Sequence, residues 1–434
     1  MMRRVIFTAA VALTAAAAMA QTDTPVWTLD SCISYAITHN INVRQQRVAV
    51  TNAEYQVTEA KDQFLPTLSG QASQQFSFGR GLTADNTYAD RNTQNTTFGV
   101  GLNMPVFQGL AGVRRLSYAK ANLRAVVEEL AAARDNVELN VMSQYLQVLY
   151  CAELEDVARE QVRMSEFELQ RRRTLVEGGR LPELDVYEAE SQLARDQLSL
   201  TNAHNDWSIA LLDLAQMLQL PSAEGFGIAP LGEEPAPAET PEQIYARAMD
   251  TNHSIVASRL AMEAADRNIS LSQTGWLPTI SLSAGLNANY FYVNGQPNPT
   301  FHRQMRDNFS KYVGLTLSVP LFDRFSTRNN VRRARTQRLN AELQYEQQTS
   351  DLYKAIQQAQ LRADASVQKL EASVVAVDAA ERSLEGVQQK YEYGKATSAD
   401  YEQARSTYLR ALLERTQAQY ELMLRRRILN FYNR

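Results

Sequence analysis

Residues 65–78 read LPTLSGQASQQFSF, and residues 277–292 read LPTISLSAGLNANYFY. After Pro66 the even positions Leu68, Gly70, Ala72, Phe76 and Phe78 are apolar or small, with Gln74 as the exception. The odd positions Thr67, Ser69, Gln71, Ser73, Gln75 and Ser77 are polar. After Pro278 the residues Ile280, Leu282, Ala284, Leu286, Ala288, Tyr290 and Tyr292 alternate with Thr279, Ser281, Ser283, Asn287 and Asn289. A period of two sends successive side chains to opposite faces of a strand. Each stretch has a second run behind it. Phe98, Val100, Leu102 and Met104 oppose Thr97, Gly99, Gly101 and Asn103, and Val313, Leu315, Leu317 and Val319 oppose Gly314, Thr316 and Ser318. Four strands are therefore expected, over 66–80, 94–106, 278–293 and 309–321.

An ordinary half-buried soluble sheet would carry Lys and Glu on its outer face. Here both faces lack charge over roughly ten residues, the length that crosses a bilayer as a tilted strand. The intervening segments GRGLTADNTYADRN and NGQPNPTFHRQMRDN are polar and suit exposed loops. Four strands cannot close on themselves, and an open edge would leave backbone groups unpaired in hydrocarbon at several kcal/mol each. Several copies must then share one barrel, and three would give an even set of twelve strands.

The two stretches belong to an internal duplication. AITHN at 36–40 aligns with AMDTN at 248–252, and LPTLS with LPTIS, at an offset of 212. MPVF at 104–107 aligns with VPLF at 319–322 at an offset of 215, as do Gly179, Asp185 and Ala189 with Gly394, Asp400 and Ala404. The first copy occupies 21–220 and the second 241–434, joined by a Pro-rich linker over 221–240.

The remainder reads as helix. Leu352, Ile356, Ala359, Ala363, Val367, Leu370, Val374, Val377, Ala380, Leu384, Val387 and Tyr391 form a stripe with a mean step of about 3.5, the coiled-coil period. Proline is absent from 106–181 and from 321–434, so long helices are expected over 110–177 and 325–392, each about 100 Å long. Shorter helices are expected over 29–63 and 186–219.

Residues 1–20, with Arg3, Arg4, an apolar core and Ala18-Met19-Ala20, read as a secretory signal peptide. Net charge is −4, which gives no general pull toward nucleic acid. Cys32 and Cys151 fall at different heights of the expected layout, so a bridge between them is not expected. The four histidines are scattered, and neither metal nor cofactor is expected. Gly99-Val100-Gly101 lies inside a strand and not on a phosphate turn. G-x-S-x-G, H-E-x-x-H and C-x-x-C do not occur, so an enzyme is not expected.

This duplicated order of A-x-x-x-N, L-P-T-[LI]-S, P-[VL]-F and a glycine turn resembles the TolC family of outer-membrane efflux proteins over essentially the whole mature chain. The resemblance implies a mainly α fold with a membrane β portion: a duplicated helix/β-hairpin/helix repeat, with a trimer forming a 12-stranded β-barrel on a long α-helical barrel. It implies the outer membrane of a Gram-negative bacterium, and a passive exit duct for efflux or type I secretion. The implied partners are a homotrimer, a periplasmic adaptor protein and an inner-membrane pump or secretion transporter.

It also implies a periplasmic tip that opens on docking. GRLPELD at 179–185 and GKATSAD at 394–400 match the tip motif. By that match, Asp185, Glu188, Tyr391 and Asp400 are candidates for the constriction, though Gln403 replaces a second acid. Gly179, Arg180, Gly394 and Lys395 are candidates for the tip turns and adaptor docking. Simple helix capping by Asp185 and Asp400 is the alternative reading.

One cluster stands apart from the resemblance. Arg324, Arg328, Arg332, Arg333, Arg335 and Arg338 follow the second strand pair without an intervening acid, and Arg114, Arg115, Lys120 and Arg124 follow the first. They are candidates for a ring that binds outer-membrane lipid headgroups, or else a solvated helix face. The rival overall reading is a periplasmic coiled-coil adaptor or scaffold, which would leave four uncharged strands without a purpose.

Overall fold

The computed structural model describes residues 26–82, 86–222, 225–232, 234–235 and 239–434, and the signal-peptide reading of 1–20 lies outside them. In chain order the elements are β1 (Val26–Trp27), α1 (Leu29–His39), α2 (Ile41–Asp62), β2 (Thr67–Ser77), β3 (Arg80–Leu82), β4 (Tyr88–Asp90), β5 (Thr93–Phe107) and α3 (Ala111–Glu177). There follow α4 (Glu183–Met217), β6 (Gly227–Ile228), α5 (Pro241–Thr251), α6 (His253–Ser272), β7 (Thr279–Val293), α7 (Phe301–Asp307), β8 (Ser310–Ser318), α8 (Ser326–Glu392) and α9 (Ser398–Tyr432).

The helix expected over 29–63 is two helices, because Asn40 breaks it. Asn40 adopts φ −58° and ψ 132°, its N–H closes the last turn of α1 on Ala36 O, and its Oδ1 accepts from Asn42 N at 2.9 Å. The same residue thus ends one helix and caps the next. Asn252 repeats the break between α5 and α6, with φ −70° and ψ 116° and its N–H on Ala248 O.

The chain divides into two compact units. The first holds the described part of Met1–Gln45 with Ala132–Asn252 and Asp351–Arg434. Its helices pack through small residues: Ala359 and Ala363 of α8 meet Leu429 of α9, and Val377 and Ala380 meet Ala411. The stripe expected along α8 is corrected in its middle. Val374 is exposed, while Ser366 and Ser373 are buried with their hydroxyls donating to Arg362 O and Leu370 O. The buried positions 359, 363, 366, 373, 377 and 380, with the half-buried 370 among them, step strictly by three and four, so Ser366 and Ser373 fall on the seam and Val374 falls one residue off it. Cys32 and Cys151 are both free and buried, and burial pushes the Cys32 thiol up to about 12.

The second unit holds Gln46–Ala131 and His253–Ser350. Its centre is one antiparallel sheet in the order β2-β5-β7-β8. Gly101 pairs with Gly285, and Tyr312 pairs with Gly285 from the other side. The Tyr312 ring lies across this pair, 2.6 Å from where a Cβ on Gly285 would sit, so a side chain at Gly285 would displace the ring. Pro105, which cannot donate to a ladder, falls at the register shift between β5 and β7.

The polar segment 294–308 is not all loop, since α7 forms within it. β8 pairs with β7 only as far as Asn287, and the remaining edge of β7 is closed by side-chain amides. Asn308 donates to Asn289 O. Gln304 accepts from Phe291 N and donates to Phe291 O, and Asn298 does the same at Val293. Three amides stand in for a missing strand.

Candidate functional site

The four-stranded sheet is the first element of the site. Its alternation is realised in register: Leu68 pairs with Leu102, Val100 with Leu286 and Leu282 with Leu315, all on one face. That face is open. Leu68 is 72 % exposed, Val313 78 % and Leu315 69 %. The opposite face carries Ser69, Gly101, Ser283 and Gly314, among others. Lys311, the one charge within β8, lies on the apolar face opposite Leu286, at the start of the strand beside the Phe309 ring. β2 and β8 each pair on one side only, so the sheet has two open edges. Among the described residues no helix is long and apolar enough to cross a membrane.

The second element lies where α3 turns into α4 and α8 into α9. Gly179 and Gly394 sit at φ +68° and +67°. Arg180 N bonds Leu175 O and Gly179 N bonds Val176 O. Lys395 N and Gly394 N do the same with Lys390 O and Tyr391 O. These are two matching left-handed helix stops, and the left-handed φ is why glycine stands at both. Arg180 and Lys395 are exposed on them.

The acids differ from the capping alternative. The N-caps are Pro182 and Thr397, not Asp185 and Asp400. Asp400 stands three residues into α9 and completes a capping box with Thr397, whose N–H and hydroxyl hold its carboxyl below the ordinary range. Asp185 occupies the same position in α4, and its carbonyl accepts from Arg172 Nη1. Glu188 lies 3.9 Å from Arg172 and accepts from Ser398 Oγ at 3.4 Å. Tyr391 stacks on Tyr401, with Arg171 5.4 Å and Arg172 6.0 Å from its ring centre.

Two buried arginines, neither among the candidates read from sequence, join these helices. Arg172 of α3 is 1 % exposed; it donates to Glu168 at 3.1 Å and approaches Glu402 of α9 to 3.6 Å. Arg405 of α9 reaches across to Asp196 of α4 at 3.1 Å and donates to Gln161 O and Ser165 Oγ of α3. Ser165, Gln161 and Gln192 donate to the Asp196 carboxylate in turn. The hairpin α3–α4 is thereby clamped to the hairpin α8–α9. The one sequence signal was Glu168 four residues before Arg172, a spacing that places both on one helix face.

Burial raises the Glu402 carboxyl above its ordinary 4.5 despite Arg405 and Arg172 nearby. A raised folded value means this group's stabilisation is fully present below 4.5 and is lost as pH rises through the raised value. Thermal unfolding of the wild type is thus expected to lose ground to Glu402→Gln as pH rises from 4.5 toward neutrality. Parallel curves for the two proteins would contradict this assignment.

A sheet with one apolar and one polar face, and paired helical hairpins, in a chain whose sequence repeats, define the protomer of an outer-membrane channel. The chain belongs to the outer membrane efflux protein family, whose model matches residues 32–219 and 244–430. It is 21 % identical to outer membrane efflux protein BepC of Brucella suis over 398 residues, covering 92 % of this chain and 83 % of that one. It is 24 % identical to outer membrane protein TolC of Vibrio cholerae over 396 residues, covering 88 % and 84 %. The crystal structure of the Campylobacter jejuni CmeC outer membrane channel superposes with a TM-score of 0.80 at 16 % identity, covering 95 % of this chain and 87 % of that chain. The protein is an outer-membrane protein of the export-channel class.

Proposed function

We propose that three copies of this chain join their sheets edge to edge into one twelve-stranded barrel that serves as a passive exit duct. The observation that carries this reading is the open sheet: two unpaired edges and an exposed apolar face whose one charge, Lys311, stands at the loop end of β8 opposite Leu286. In lipid both edges must be satisfied, and neighbouring copies supply the strands. Exposed apolar side chains on the helices of the first unit, Leu361 and Val375 of α8 and Leu198 and Leu212 of α4, agree with helices of neighbouring copies packed against them.

The duct opens, on this proposal, at the glycine turns. Arg180 and Lys395, with the exposed Leu184, Tyr187 and Tyr393, offer a surface for a periplasmic adaptor that links the duct to an inner-membrane pump or secretion transporter. Asp185, Glu188, Tyr391 and Asp400 belong to the constriction that keeps the resting tip narrow. The duct itself performs no chemistry. Light scattering of the detergent-solubilised protein is expected to give a trimer, and Asp400→Ala with Tyr391→Phe is expected to raise its resting conductance in planar bilayers. A monomeric mass would end the barrel reading, and unchanged conductance would end the constriction reading.

A further inference from the structure

Both copies leave the sheet through the same unusual turn. Gly109 and Leu110 have φ of +57° and +64°, and Arg324 and Phe325, their equivalents at the offset of 215, have φ of +55° and +62°. Glycine adopts this conformation freely, but Leu110, Arg324 and Phe325 are held in it against steric preference. The strain leaves Leu110 and Phe325 exposed on the surface. A strained turn that displays apolar side chains marks a functional constraint.

Around the second turn the exposure is extreme. Leu321 is 94 % exposed and Phe322 72 %, immediately after β8 and continuous with the apolar residues of that strand. Phe322 meets Phe325 edge-on at 5.4 Å, and Arg328 lies 4.3 Å above the Phe325 ring. Arg328, Arg332 and Arg335 follow at spacings of four and three, which puts them on one face of α8. All three are exposed, and among the described residues no carboxylate lies within ion-pair distance of them. Arg338, one turn on, marks the contrast, since Asp266 and Glu342 both hold it. The first copy is a weaker version, with Leu110 and Val113 exposed beside Arg115, while Arg114 is spent on Ser270 O.

We infer that this shelf binds anionic phospholipid in the leaflet where the strands give way to the helices. Leu321, Phe322 and Phe325 enter the acyl boundary, and Arg328, Arg332 and Arg335 take the phosphate headgroups. Aromatic rings lie at headgroup depth, and basic residues just beyond them attract anionic lipid. Arginine, with its forked donors, suits a phosphate better than a point charge does. The cation over the Phe325 ring ties the two halves of the shelf together. The inference rests on the sheet lying in a membrane, and it adds a lipid class and a depth to that reading.

The test uses the full-length channel, reconstituted in vesicles of phosphatidylcholine with phosphatidylglycerol and then extracted in mild detergent. Phosphatidylglycerol that stays with the protein is counted by mass spectrometry. Wild type is expected to retain it over phosphatidylcholine. Arg328→Gln with Arg332→Gln is expected to weaken that retention by about 30-fold, equivalent to about 1 kcal/mol for each arginine. High salt on wild type should reproduce the loss, and Phe322→Ser with Phe325→Ser should lower total retained lipid. Trimer mass and bilayer conductance are measured on the same samples, so failure to form a channel is told apart from failure to bind lipid. A correctly assembled double-glutamine variant that retains phosphatidylglycerol like wild type would overturn the inference. Displacement of the lipid by inorganic phosphate alone would equally overturn it, in favour of a free-anion site.

Discussion

Replacing Leu315 with arginine is expected to abolish the assembled channel, whereas Thr316→Arg leaves it in the membrane. Leu315 sits midway along β8, pairs with Leu282 and is 69 % exposed on the apolar face. An arginine at the bilayer midplane costs about 2–4 kcal/mol on the lipid side of a barrel, so about 6–12 kcal/mol when three protomers carry it. Thr316 pairs with Ser281 on the polar face, where a charge meets water inside the duct. Membrane fractionation and unheated gels, on which an intact trimer runs above the monomer, report both outcomes. Equal loss in the two variants, or no loss in either, would refute the assignment of faces.

That experiment turns on parity, and parity is the part of the fold that the sequence displays without help. Alternation over 67–78 and 279–292 is a local property, so the two faces could be read before any tertiary contact was known, whereas the pairing register could not. The duplication then predicted which strands and helices correspond. What was not legible is tertiary. Asn40 and Asn252 occupy the repeated A-x-x-x-N, yet nothing local says that the asparagine should divide one helix into two instead of sitting within it. Gln304, Asn298 and Asn308 looked like solvated loop residues. Only the shortness of β8 leaves β7 with backbone groups for them to satisfy. On α8, Ser366 and Ser373 hold the buried stripe because they keep its step of three and four, whereas a stripe drawn through apolar residues alone slips by one to Val374.

The candidate site divides in the same way. Gly179 and Gly394 could be found because a left-handed helix stop demands glycine, and their equivalence across the repeat supported it. The acids were less legible. Asp400 serves in the capping box three residues in, a position that only the φ of Thr397 and the bonds between the two residues distinguish from the cap itself. Arg172 had only the spacing to Glu168 as a signal, and Arg405 had none. Charged residues on long helices are usually solvated, and Arg171-Arg172-Arg173 reads as an exposed basic run until α4, α8 and α9 are laid against it.

Removing Arg405 is therefore the sharper probe of the helical unit. Arg405→Ala leaves the Asp196 carboxylate, 2 % exposed, without its counter-charge, a change that costs about 3–5 kcal/mol when one partner of a buried pair is lost. Ser165, Gln161 and Gln192 still donate to that carboxylate, which moves the expected loss toward the lower bound. Arg405→Met with Asp196→Leu removes both charges and keeps the volume, so its thermal unfolding is expected to return to the wild-type midpoint or above. Stability and gating then separate. The double variant restores packing but not the directional bonds between α9 and α3–α4, so resting conductance in planar bilayers is expected to be raised in it as well as in Arg405→Ala. A double variant that recovers both stability and the low resting conductance would show that apolar packing alone holds the hairpins together. A single variant that unfolds like wild type would show that the buried pair carries no weight in either.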